Sequence, residues 1–73
     1  MSDYTETTAN ELADKALAEA IASGDDKIVD QIGEILGASS QTLQESYLTA
    51  IRVRRAEKRA REILAQSAAK RAG

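Results

Sequence analysis

An all-α protein is what this chain predicts: three helices, two short and antiparallel, followed by one long basic C-terminal helix. Three observations predict it. Proline is absent, and Ala, Glu, Leu, Lys, Arg and Gln are plentiful, the residues that cost a helix least. Apolar residues recur at three- and four-residue steps, the period of a helix face and not of a strand. Glycine-centred breaks at Gly24 and Gly37 divide that period into three runs.

Residues 1–7 are polar, rich in Thr and Ser, and have no apolar period, so they read as a disordered tail. Thr8 and Glu11 have capping-box spacing, in which each side chain satisfies the other's free backbone N–H. From there Ala9, Leu12, Ala13, Ala16, Leu17, Ala20 and Ile21 form one stripe, which predicts a first helix over 9–22. Gly24 supplies the left-handed turn that ends it. Asp25 or Asp26 caps the second helix, where a carboxylate suits the positive helix end. Ile28, Val29, Ile32, Ile35 and Leu36 mark its buried face, and Gly37 ends it. This most apolar run is expected at the centre of the core.

Ser39 or Ser40 caps the third helix, with Ala38 and Leu43 placed for a hydrophobic staple. Nothing stops this helix before Gly73, so it runs about 30 residues, or about 45 Å. That outreaches any core a chain of 73 residues can build. The expected division is therefore a small helical unit over 8–51 and a projecting basic helix over 52–73. Leu43, Tyr47, Ala50 and Ile51 share the side suited to the body, Tyr47 with its hydroxyl reaching the surface. Val53, Ala56, Ala60, Ile63 and Ser67, with Leu64 beside them, form a second stripe suited to a partner helix. Arg52, Arg54, Arg55, Lys58, Arg59 and Arg61 lie roughly opposite that stripe.

The net charge of −2 hides a strong asymmetry. Residues 1–38 carry nine acids against two lysines, a net −7, while residues 39–73 carry eight bases against three acids, a net +5. Such a division points to a basic arm for an anionic partner, or to attraction between the halves. A domain this small buries only about 60% of its unfolded surface and usually needs a disulfide, a metal or a partner subunit. The chain has no Cys and no His, so a homo-oligomer (a dimer) or a protein partner is the expected support.

The run Ile32-Gly33-x-x-Leu36-Gly37-Ala38-Ser39-x-x-Thr42-Leu43 resembles the helix-turn-helix of bacterial and phage DNA-binding proteins. In that family a small residue lets the second helix pack closely, a glycine makes the turn and a Ser or Thr caps the recognition helix. Gly33, Gly37, Ala38 and Ser39 match those roles. The resemblance covers about 15 residues, and it departs at Ser46, where the family carries an apolar residue. It implies double-stranded DNA as a partner, with Ser40, Gln41 and Gln44 at base edges, where Gln can pair with adenine. Arg52, Arg54, Arg55, Lys58, Arg59 and Arg61 would then contact phosphates, or an acidic protein surface. Glu45 opposes phosphate, and an L-G-A-S corner is equally an ordinary helix end followed by an ordinary cap.

No catalytic, cofactor-binding or metal-ligating constellation is present: there is no nucleophile beside a base and no glycine-rich phosphate loop. The expectation is a non-enzymatic regulatory protein that binds DNA, or an assembly factor of phage or mobile-element type that docks through its long helix. No cofactor, small-molecule substrate or membrane contact is expected. An acidic N-terminus without an apolar segment fits a cytoplasmic or virion-internal location.

Overall fold

The structure is a computed structural model that describes residues 2–72. Three helices follow one another: α1 (Ser2–Ser23), α2 (Lys27–Ser39) and α3 (Gln41–Ala72). There is no strand among the described residues. The all-α class and the order of two shorter helices before a long one agree with the sequence.

Residues 2–7, expected as a tail, are the first turns of α1. No Gly or Pro interrupts them, and Thr5 and Thr8 are half-buried. The Thr8–Glu11 spacing therefore lies inside a helix, where no free N–H needs a cap. Gly24 ends α1 as expected, at φ +73°, and its N–H donates to the Ala20 carbonyl at 2.9 Å. At the start of α2 the carboxylate in use belongs to Asp25, which accepts the Lys27 N–H at 2.9 Å. Asp26 holds the cap position without a side-chain bond.

Gly37 does not end α2, which runs on to Ser39. The break is Ser40 alone, in an extended conformation with φ −155° and ψ 105°. Its hydroxyl accepts the Leu43 N–H at 3.1 Å, and its own N–H donates to the Leu36 carbonyl at 2.7 Å. One residue therefore closes α2 and caps α3.

The core is built mainly of alanine. Ala9, Ala13, Ala16 and Ala20 of α1 are buried, together with Val29 of α2 and Tyr47, Ala50 and Ile51 of α3. Leu12, Leu17, Ile28, Ile32, Leu36, Leu43 and Leu48 pack around them, half-buried. Small side chains at 4-3-4 spacing let α3 lie close along α1, and this close approach selects which residues are inside. Ile21 and Ile35, placed by periodicity on buried faces, lie at the margins, 77% and 65% exposed. The most apolar helix is accordingly not the centre. It contributes one large buried side chain, Val29, and a bare stretch of backbone at Gly33.

Tyr47 occupies that bare stretch. Its ring carbon Cε2 lies 3.5 Å from where a Cβ on Gly33 would stand. Its hydroxyl does not reach the surface; it donates to the Val29 carbonyl at 2.7 Å with the residue fully buried. Burial pushes the phenol above its usual range, with the negative charge of Asp30 adding to the effect and Arg55 opposing it.

Candidate partner-binding helix

α3 is 32 residues long, about 48 Å at 1.5 Å per residue, and it sets the 51 Å long axis of the molecule. Its contribution to the core ends at Ile51; every described residue from Arg55 to Ala72 is exposed.

The cations divide into two groups. Arg54 turns back to the body: its Nε donates to Asp14 Oδ1 at 2.6 Å, and its other nitrogens reach Asp14 Oδ2, Asn10 Oδ1 and the Ala50 carbonyl. That hydrogen bond holds the Asp14 carboxyl below its usual range and raises Arg54 further above its own. Arg61 is paired one turn away, 2.7 Å from Glu57. Arg54 is drawn into the body, whereas Arg61 keeps a side chain that is 74% exposed and is tied only by that surface pair. Arg52, Arg55, Lys58 and Arg59 have no acid within ion-pair distance among the described residues. At 100° per residue, Arg52, Arg55 and Arg59 fall within a strip about 60° wide, a single arginine ridge.

Beside the ridge runs the second stripe. Val53, Ile63 and Leu64 are 56%, 64% and 69% exposed, with Ala56 and Ala60 exposed between them. By helical geometry the stripe is centred about 150° from the face that meets the body. Nothing among the described residues covers it. At its N-terminal end it opens into a shallow groove between α1 and α3, lined by Glu6, Asn10, Glu45, Ser46, Thr49 and Val53 among others.

The corner is arranged differently from what base reading requires. Gln44 folds back over Gly37 and donates from Nε2 to the Gly33 carbonyl at 2.9 Å. Ser40 is engaged as the cap of α3. Of the three residues expected at base edges, Gln41 alone is fully exposed. Gly37 does not make the turn either, since Gly24 is the sole positive-φ residue described. It is instead the place where the Gln44 amide lies, which a Cβ would fill.

Periodicity carried a signal for Arg54 that charge obscured: it falls on the same wheel stripe as Leu43, Tyr47 and Ala50. No sequence signal marked Gln44. Among the described residues no group of three or more acids could hold a metal ion, and no helix is long and apolar enough to cross a membrane. No family model, curated protein or solved structure matches the chain.

Proposed function

We propose that this is a non-enzymatic interaction protein that docks on a partner protein through the free half of α3. The observation that carries this reading is the apolar stripe of Val53, Ala56, Ala60, Ile63 and Leu64, held in water on a helix that outruns its own body. An amphipathic helix face of this kind binds by laying small and aliphatic anchors against another helix or a groove. The ridge of Arg52, Arg55 and Arg59 along one edge fixes orientation and favours an acidic rim on the partner, since charges at the edge steer more than they bind.

A photo-reactive residue at Ala60, compared with one at Ala18 on the exposed side of α1, tests this in extracts of the source cell. The expected result is a discrete protein adduct from position 60 and none from position 18. Equal labelling from both positions would sink the reading.

Binding to duplex DNA is the second reading, favoured by the four unpaired cations Arg52, Arg55, Lys58 and Arg59. It predicts affinity for random duplex that falls steeply with salt as counterions are released. Sequence discrimination would rest on Gln41, because Gln44 is spent on Gly33. A titration at two salt concentrations decides it: no binding at low salt removes DNA from consideration.

A further inference from the structure

We infer that the stripe on α3 is covered by a second copy of this chain, lying antiparallel to the first. This rests on the docking reading above and names its partner.

The first ground is spacing. Counted along the whole of α3, the outer face reads Thr42, Ser46, Thr49, Val53, Ala56, Ala60, Ile63, Ser67 and Lys70. Its apolar part, Val53, Ala56, Ala60 and Ile63, alternates three- and four-residue steps, the spacing that turns a short seam toward a partner helix, and polar residues at the same spacing extend that face on either side. α1 flanks this seam at its N-terminal end, across the groove where Ser46 is half-buried, and from Thr49 onward the described residues of the seam are exposed.

The second ground is what the seam carries along its length. It is apolar in the middle and hydroxylated outside that. One end bears the acids Glu6 and Glu45, which line the same groove, and the other bears Lys70 and Arg71. Turned end for end about a two-fold axis near Lys58, the seam meets itself in matching layers. Val53 faces Ile63, Ala56 faces Ala60, and Thr49 faces Ser67. Ser46 and the neighbouring Glu45 meet Lys70. The three inner layers pair like with like in size and polarity, and the charged ends are opposite in sign. A parallel pairing would instead set two acidic bodies side by side. The antiparallel one lays the bare half of each α3 against the body-bearing half of the other.

The third ground is space. Ala56 and Ala60 stand at the two-fold axis, where small side chains let the helices come close. An axis perpendicular to the plane of the two helices keeps the same flank of each on the same side. The arginine ridges of both copies therefore join into one basic face of six guanidinium groups, from Arg52, Arg55 and Arg59 of each chain.

The test uses the full chain, which has no cysteine of its own. Sedimentation equilibrium over rising concentration is expected to approach twice 7.8 kDa. Ala60→Glu, at an exposed position of α3 beyond its last buried residue, is expected to keep the helical signal and weaken dimerisation at least about tenfold. A Thr49→Cys, Ser67→Cys double variant, oxidised and peptide-mapped, is expected to link position 49 of one copy to position 67 of the other. A monomer at every concentration overturns the inference, as does a dimer indifferent to Ala60→Glu. Links of 49 to 49 and 67 to 67 overturn it too, because they report a parallel pair. A monomer whose position 60 still labels a different protein would overturn this inference and leave the docking reading standing.

Discussion

Two side chains of α3, Tyr47 and Gln44, tie it to α2 by hydrogen bonds, and both show what spacing alone leaves open. Tyr47 sits over Gly33 and donates to the Val29 carbonyl. Tyr47→Phe keeps the ring and removes one buried bond, so a loss of about 1 kcal/mol is expected in urea unfolding. The phenol is raised in the folded state, so its contribution is complete below the unfolded value of about 10 and is lost as pH rises through the folded one. Wild type should therefore lose stability above about pH 10 faster than the Phe variant. Gln44 shows the same economy at Gly37. Adding a methyl at Gly37 displaces the Gln44 amide from the Gly33 carbonyl, offsetting the gain of about 1 kcal/mol that Ala has over Gly in a helix. In a Gln44→Ala background that gain should appear in full. A double-mutant cycle of Gly37→Ala with Gln44→Ala should show coupling of at least about 0.5 kcal/mol, and additivity would mean the two do not interact.

The three helices, their order and the greater length of the third were legible, because helix period and glycine breaks are local properties. Gly24 is the clearest case, since only its left-handed backbone turns the chain there. The corner between α2 and α3 was less legible. Gly37 marked the right neighbourhood, but a glycine sits comfortably inside a helix, and the break fell to an extended serine that can cap as well. Ile21 and Ile35 were misplaced because periodicity gives the direction of a face and not its width. Once alanines bring the helices close, the rim of each stripe falls in water. Arg54 was misassigned to an outer basic face because charge was weighed before position. It straps α1 to α3, so Arg54→Ala should speed amide exchange along Ala9–Ala20 and leave α2 little changed. Asp14 is lowered in the folded state, so the strap is complete above the usual carboxylate range and fails as pH falls through the folded value. The same amides should therefore lose protection in acid in the wild type, and not further in the Ala variant.

Across the whole molecule, charge and apolar surface are partitioned: an acidic body closed over alanines, and a basic rod whose own apolar seam is open. The body is thin for its length. Within the body, the alanine floor of α1 has the opposite character from an ordinary hydrophobic core. Most interiors fail when atoms are removed, because a cavity opens. This one has few atoms to remove from Ala9, Ala13, Ala16 or Ala20, and no room to add them. Ala13→Val should cost about 1–3 kcal/mol by forcing α1 and α3 apart, measured by thermal unfolding at pH 7; a neutral result would mean the helices are less close than described. Side chains larger than alanine at these four positions are therefore expected to cost stability, so filling the interior there is not a route to a more stable protein. Room for change lies outward, along α3, where every described residue from Arg55 to Ala72 is exposed and a substitution leaves the packed interior untouched.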